Sequence, residues 1–246
     1  MRIAGIDIGS RTVKLAILEE GKLVLSRKTL TSYNPLETAQ ELIGDTVFDA
    51  LTATGYGRHL IKGHLDCPVI SEIKAFAVGS RFFSQDCSSI LDIGGQDTKA
   101  ISLDQEGNLR KFEMNDKCAA GTGRFLEVMA TALGFTIEEF SKAALSAGKA
   151  VKINSTCTVF AESEVVSLTA QGAARDEVAL GIHKAIVSRS VGLLKKVAVP
   201  GKIFFAGGVA LNECVRVLLE EEMASTVFVP SDPQIVGAVG AALSAL

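Results

Sequence analysis

The sequence predicts an α/β protein built from two related halves. The first observation is a repeated motif, in which an apolar strand, Asp, Ile, Gly and a later Lys precede a second apolar strand. The two copies occupy residues 6–17 (IDIGSRTVKLAI) and 91–101 (LDIGGQDTKAI). The second observation is that strand and helix patterns alternate after each copy, which is typical of α/β proteins. The copies lie too far apart for a solenoid repeat, so they indicate duplication of a domain.

Strand and helix patterns follow each copy in order. In the first half the apolar spacing predicts helices over 35–43 and 71–82, with a strand at 69–71. In the second half it predicts helices over 124–133, 158–171, 176–197 and 210–222, and strands over 202–206 and 226–229. Thr136 opens a capping box before another helix. Asp232 and Pro233 are the predicted N-cap and first turn of the terminal helix.

Composition excludes several classes of protein. The chain has 48% hydrophobic and 22% charged residues, as ordinary globular proteins do. Its net charge of −3 gives no basic excess for binding nucleic acid. No apolar run approaches the roughly 18 residues of a membrane-spanning helix, and Asp7 lies where a signal peptide keeps its apolar core. We therefore expect a cytoplasmic protein with no nucleic-acid and no membrane partner.

The repeated hairpins are candidate phosphate-binding loops. Glycine at the tip lets the backbone approach a ligand, and successive backbone N–H groups bind phosphate oxygens. A neighbouring carboxylate can hold Mg²⁺ through water. We predict that Asp7 and Asp92 lie on the metal side and that Gln96 orients an attacking water. The predicted phosphate contacts are Gly9, Ser10, Arg11, Thr12, Val13, Lys14, Gly94 and Gly95.

A third glycine turn completes the set. Residues 204–212 run from a strand through Gly207 and Gly208 towards a helix that begins near Asn212, so bare backbone leaves room for an adenine ring. This order of loop, loop and Gly-Gly resembles the actin, sugar-kinase and heat-shock chaperone superfamily of ATPases, and no Walker P-loop is present. The resemblance implies two duplicated ribonuclease-H-like domains of the actin/hexokinase type, with a cleft for ATP or ADP between them. We predict a first lobe over 1–86, completed by the terminal helix at 233–246, and a second lobe over 87–232.

Two of the five cysteines stand in polar, glycine-rich blocks just before predicted helices. These are Cys118 in residues 114–124 and Cys157 in residues 155–162. A helix N-terminus stabilises a thiolate or an anionic iron–sulfur cluster. Two cysteines cannot complete a four-cysteine site, but two chains related by a two-fold axis can. Zinc, a reactive thiol and an inert cysteine also fit the spacing. We expect structural roles for Cys67, Cys87 and Cys214. We do not expect His59 or His64 to bind a metal.

The sequence closely resembles the activator ATPases of 2-hydroxyacyl-CoA dehydratases in several segments. They are the two cysteine blocks, residues 92–97, and Pro233-Gln234 followed by Gly237. The ATPase subunits of benzoyl-CoA reductases share these blocks. The resemblance runs from residue 3 to the C-terminus. It implies a homodimer that shares one 4Fe–4S cluster, held by Cys118 and Cys157 of each chain. It also implies that ATP hydrolysis drives one electron from ferredoxin or flavodoxin into an iron–sulfur dehydratase or reductase.

Further site residues follow from the same resemblance. Gly121, Thr122 and Gly123 would lie between cluster and nucleotide, Glu127 would reach the ribose, and Gln234 would lie on the adenine side. The first loop departs from its relatives, since Arg11 stands where they usually carry a small residue such as Thr. Two alternatives of the same fold are a small-molecule kinase and a cluster-free regulatory ATPase. The chain is short for a kinase, which also gives no reason for the two cysteine blocks.

Overall fold

The computed structural model describes residues 1–155 and 157–245, so Thr156 of the second cysteine block and Leu246 of the terminal segment lie outside the described residues. The strands are β1 Arg2–Ile8, β2 Thr12–Glu19, β3 Lys22–Leu30, β4 Ala50–Thr54, β5 Ser89–Ile93, β6 Thr98–Leu103, β7 Leu109–Asn115, β8 Ile203–Ala206 and β9 Val227–Phe228. The helices are α1 Pro35–Ile43, α2 Arg58–Leu65, α3 Glu72–Phe83, α4 Gly123–Ala132, α5 Ile137–Ser146, α6 Thr158–Ala170, α7 Arg175–Val197, α8 Glu213–Met223 and α9 Val236–Leu243. None of these helices is long and apolar enough to cross a lipid bilayer.

Two sheets repeat one plan. The first has the order β3-β2-β1-β4 and the second the order β7-β6-β5-β8-β9. In each, an antiparallel hairpin (β1-β2 or β5-β6) has a parallel strand (β4 or β8) on its other side. The register places Asp7 opposite Lys14 and Asp92 opposite Lys99. The structure therefore confirms the predicted class of a duplicated α/β fold, whereas the bounds of the two lobes stay a prediction.

The C-terminal helix α9 returns to the first half of the chain. It packs against α3 and against strands β1, β2 and β4. The crossing with α3 is close, because a Cβ on Gly79 would overlap the Val236 carbonyl oxygen and one on Gly240 would overlap that of Ala75. Glycine on both helices thus brings the two backbones together. This crossing packs α3, the helix that precedes the second sheet, against the last helix of the chain.

Several predicted boundaries are confirmed and others are wrong. Thr136 and Glu139 form the predicted capping box of α5. The terminal helix has Ile235, not Asp232, at its N-cap position, because the Asp232 carboxylate accepts from the Gln234 N–H and forms a turn instead. The helix predicted from residue 210 is a 3₁₀ turn over Gly208–Leu211 followed by α8, and the strand predicted at 69–71 is a single bridge from Val69 to Ala53.

Candidate functional site

The first hairpin forms a tight loop between β1 and β2. The Gly9 N–H donates to the Thr12 carbonyl at 3.1 Å and closes the turn. Asp7 is buried, and Lys14 Nζ donates to its carboxylate at 3.0 Å. The lysine of this loop is thus paired with a single carboxylate. Val13, predicted as a ligand contact, points its side chain into the hydrophobic core instead.

The second hairpin has the same backbone and a different charge. The Gly94 N–H donates to the Asp97 carbonyl at 2.9 Å. Lys99, buried, contacts carboxylate oxygens of Asp92 at 3.1 Å, Asp97 at 2.7 Å and Glu72 at 2.8 Å. Burial raises the pKa of Asp92 to about 6, with Lys99 acting in the opposite direction. Burial lowers the pKa of Lys99, but the three carboxylates together hold it above its ordinary value.

Both loops face one cavity of about 500 Å³, a size typical of small-molecule sites. It brings together predicted residues from five separate segments of the chain. They are Asp7, Gly9, Ser10, Arg11, Thr12 and Lys14; Asp92, Gly94, Gly95 and Gln96; Gly123 and Glu127; Gly207, Gly208 and Asn212; and Gln234. Asp97, Glu72, Tyr56 and Ile137 also line it and were not predicted. The sequence offers no local signal for Glu72, since its partner Lys99 is distant along the chain.

The Gly-Gly turn lies against the second hairpin. Gly207 has φ +85°, and a Cβ there would overlap the Asp92 carboxylate and the Ile93 carbonyl. Its N–H donates to the Pro233 carbonyl at 2.9 Å, which brings Gln234 beside Gly208. Glycine is required at this position by both backbone conformation and space. The turn therefore closes one side of the cavity with bare backbone.

Asn212 lines the cavity with its polar atoms already in use. Its Oδ1 caps α8 by accepting from the Val215 N–H at 3.1 Å and also accepts from Ser141 Oγ at 3.0 Å. Its Nδ2 lies 3.0 Å from Nε2 of the buried His183. Burial lowers the pKa of His183 to about 4, so the ring is neutral at pH 7. Asn212 is thus a structural cap at the cavity wall.

The segment 121–124 connects this cavity to a second one. The Gly123 N–H donates to the Gly94 carbonyl at 2.8 Å and the Arg124 N–H donates to the Gly95 carbonyl at 2.9 Å. Thr98 Oγ1 donates to the Gly121 carbonyl at 2.7 Å. Thr122 is buried and does not line either cavity, while Gly121 lines the second one. The start of α4 is therefore fastened to the second hairpin.

Cys118 and Cys157 line the second cavity, and both are exposed. Cys157 is the N-cap residue of α6, as predicted. Cys118 is not at a helix start, because α4 begins at Gly123 and its first amides bind the second hairpin. Arg189 of α7 lines the same cavity; burial lowers its pKa, and the neighbouring Cys118 acts to raise it. We call this cavity the thiol pocket.

The thiol pocket has a second support that the sequence did not reveal. The Glu164 carboxylate accepts from the backbone N–H of Asn154 at 2.9 Å and of Ser155 at 2.8 Å. Although partial burial acts to raise it, these hydrogen bonds lower the pKa of Glu164 to about 2. Glu164 thus fixes the segment that leads towards Cys157.

The other cysteines and the histidines behave differently. Cys67, Cys87 and Cys214 are buried, and burial raises the pKa of Cys214 to about 12. His59 and His64 are exposed on α2. Among the residues that the structure describes, no three His, Cys, Asp or Glu side chains are grouped to hold a metal ion. One chain on its own therefore offers no complete set of metal ligands within that part.

Comparison with known proteins gives a consistent match over the whole chain. The model of the BadF/BadG/BcrA/BcrD ATPase family matches residues 4–245. The activator of lactoyl-CoA dehydratase from Anaerotignum propionicum is 41% identical over 254 residues, covering 100% of this chain and 97% of that protein. The solved activator of the 2-hydroxyisocaproyl-CoA dehydratase from Clostridium difficile, with bound ADPNP, is 37% identical with a TM-score of 0.91, covering 100% and 94%.

A more distant structure shows how widely the fold is shared. A glucokinase of the ROK family from Streptomyces griseus, in complex with glucose and AMPPNP, has a TM-score of 0.60 at 15% identity and covers 99% of both chains. At that identity the likeness concerns the fold alone. It agrees with the predicted actin/hexokinase-type architecture.

Proposed function

The chain belongs to the BadF/BadG/BcrA/BcrD ATPase family, and from this premise we propose that it is the ATP-dependent activator of a 2-hydroxyacyl-CoA dehydratase. In this role it hydrolyses ATP to deliver one electron at low potential to that iron–sulfur partner. The observation that carries the proposal is the link between the two cavities. The paired phosphate loops face one cavity, two exposed cysteines face the other, and the segment 121–124 is hydrogen-bonded to the second loop.

The cavity between the loops is the proposed nucleotide site. The relative with bound ADPNP and the same fold supports this assignment. The phosphates would lie between residues 9–14 and residues 94–96, with Gln96 positioned for the attacking water. Gly207, Gly208 and Gln234 would contact the adenine, and Glu127 the ribose. Asn212 would support this wall as a cap and not as a direct ligand, since its side chain is already bonded.

The charge of the second loop favours Mg²⁺. Three carboxylates surround the single lysine there, whereas in the first loop Asp7 and Lys14 balance each other. A hard divalent cation prefers such oxygen ligands and keeps several waters. We therefore place the Mg²⁺ of a bound nucleotide nearer Asp92 and Asp97 than Asp7. Asp7 would then contribute to the first loop's side of the nucleotide site chiefly through bound water and through its ion pair with Lys14.

The thiol pocket is the proposed cluster site. Cys118 and Cys157 are both exposed in one pocket, and thiolates are the ligands that a 4Fe–4S cluster prefers. Because one chain supplies two of the four thiolates, we propose a homodimer that shares one cluster. Beside Cys157, helix α6 exposes Val159, Phe160 and Val166 at 67%, 68% and 56%, an apolar face suited to such a contact. When bound, the cluster would carry the electron received from ferredoxin or flavodoxin.

Nucleotide and cluster would be coupled through the start of α4. Phosphate contacts at Gly94 and Gly95 would shift the carbonyls that hold Gly123 and Arg124. Cys118 precedes this segment, and the Gly121 carbonyl is held by Thr98 of the same hairpin. Movement of the second loop would therefore reach Cys118 through a few hydrogen bonds. This is a proposal for how hydrolysis alters the exposure of the cluster.

Anaerobic purification and reconstitution with iron and sulfide test the proposal. We expect about four irons per dimer, an EPR signal on reduction, and ATP-dependent activation of a purified 2-hydroxyacyl-CoA dehydratase. We expect Cys118→Ala and Cys157→Ala each to abolish the cluster. The matched control is Cys214→Ala, because Cys214 is buried away from the thiol pocket. Reconstituted protein that is colourless and free of iron, or that holds zinc alone, would contradict the electron-transfer role and leave an ATPase.

A further inference from the structure

Arg11 of the first loop reaches across the cleft to the second half of the molecule. Its Nη2 donates to both carboxylate oxygens of Glu127, at 3.0 and 3.1 Å. Its stem lies directly on the second loop, because a Cβ on Gly95 would overlap Arg11 Cγ. The side chain therefore lies between the two loops that would grip a nucleotide's phosphates. The position of the side chain is therefore set by contacts with the second half of the molecule and not by its own loop alone.

Arg11 is the most available cation of the cleft. Among the described residues that line it, the cations are Arg11, Lys14 and Lys99. The lysine side chains are 13% and 3% exposed, and carboxylates of the hairpins hold both. The Arg11 side chain is 48% exposed. A phosphate that enters the cleft can thus recruit Arg11 without separating a buried ion pair.

The bond from Arg11 to Glu127 is weak enough to exchange. An ion pair of this exposure contributes about 0–1 kcal/mol. A phosphate offers a guanidinium the same paired oxygens with more charge. Arg124 also donates to Glu127, at 3.1 Å, so the carboxylate keeps a partner when Arg11 leaves. The exchange therefore strands no unpaired charge on either side.

We propose that Arg11 recognises the terminal phosphate of a nucleoside triphosphate by moving to it from Glu127. With a diphosphate that phosphate is missing, and the guanidinium stays on Glu127. Arg11 is thus a specificity-determining residue that sets the preference for triphosphate over diphosphate. This inference rests on the proposed nucleotide site and adds to it the residue that distinguishes the two states of the nucleotide.

Calorimetric titration of the full chain with Mg²⁺-ADP and with Mg²⁺-β,γ-imido-ATP tests this inference. Arg11→Gln should lower the ratio of triphosphate to diphosphate affinity by about tenfold, as expected for loss of a charge-assisted hydrogen bond. Arg124→Gln is the matched control: it removes a cation from the same carboxylate but leaves the ratio unchanged. Glu127→Gln should raise the ratio, since the competitor for Arg11 is gone, even where affinity for both nucleotides falls.

The outcomes separate the two proposals. An Arg11→Gln ratio equal to that of the wild type, or an equal change for both nucleotides, would overturn the role of Arg11 while the cleft stands. Wild-type protein that binds neither nucleotide would overturn the nucleotide site itself, and this inference with it. Because Arg11 is half exposed on a loop, the variant should fold, which its unfolding curve will check.

Discussion

The two hairpins share a sequence pattern and a backbone, yet they differ in charge and attachment. In the first, Lys14 pairs with Asp7 and the neighbouring Val13 fills the core. In the second, Lys99 gathers three carboxylates, and Thr98, which stands where the first loop has Val13, bonds the Gly121 carbonyl. The first loop thus pairs its lysine with one carboxylate and is held by packing, whereas the second is acidic around its lysine and is bonded to the segment that leads to Cys118. The difference favours the second loop as the place for the proposed metal binding and for the proposed coupling to the cysteines.

Replacing the lysine of each hairpin should give the largest difference between the two loops, measured as loss in the free energy of unfolding. Lys99→Met would leave three carboxylates close together without their cation, and we expect a loss of about 3–5 kcal/mol in the free energy of unfolding. Lys14→Met leaves a single carboxylate and should cost about 1–3 kcal/mol. Urea denaturation measures both. Mg²⁺ should restore part of the loss in Lys99→Met only, and equal losses with equal Mg²⁺ effects would contradict the assigned difference.

Acidification should weaken metal binding at the second loop. The pKa of Asp92 is about 6 in the folded protein and 3.8 ordinarily, so the folded state holds this proton more tightly. Its contribution to stability is therefore full below pH 3.8 and is lost as the pH rises through about 6. Mg²⁺ needs the ionised carboxylate and must displace that proton. Affinity for Mg²⁺-ADP should thus fall by up to about tenfold per pH unit below 6.

Calorimetry between pH 5 and 7 provides the check on this pH dependence. Asp92→Asn should bind Mg²⁺-ADP more weakly and show a shallower dependence, because only the terminal phosphate of ADP still titrates in this range, whereas Asp7→Asn should keep the full dependence. A slope that persists unchanged in Asp92→Asn would place the titrating group elsewhere.

Thr98→Val makes the second loop resemble the first at one position. It removes the 2.7 Å hydrogen bond to the Gly121 carbonyl without changing the volume of the side chain, at a cost of about 1 kcal/mol. If this bond transmits loop movement, nucleotide should change the alkylation rate of Cys118 in the cluster-free wild type and less so in the variant. Cys157→Ser in both proteins makes Cys118 the exposed thiol that is measured. An identical response in the two proteins would contradict the idea that this hydrogen bond transmits loop movement to Cys118.

Local patterns predicted the parts of the molecule that depend on neighbours in sequence. The hairpins follow from strand alternation around Asp-Ile-Gly, and α5 follows from the box of Thr136 and Glu139. The contacts that create the asymmetry are long-range: Glu72 meets Lys99, and Arg11 meets Glu127. No periodicity selects such partners. Cys118 was misplaced for the same reason, because the amides of α4 are taken by the carbonyls of a distant loop.

The smallest effect should come from the support of the other cysteine. Cys118 depends on the second loop, whereas the segment before Cys157 is held by Glu164. Since the pKa of Glu164 is lowered to about 2, its stabilisation is present above its ordinary value of 4.5 and is lost as the pH falls towards 2. Glu164→Gln should cost about 1 kcal/mol at pH 7 and reduce the acid sensitivity of unfolding between pH 5 and 3. It should also speed alkylation of Cys157 while leaving that of Cys118 unaltered, because the two thiols are held by separate parts of the fold. Equal acceleration of alkylation at both thiols would mean that the thiol pocket moves as one unit. The difference between the two loops would then have no effect on the two cysteines.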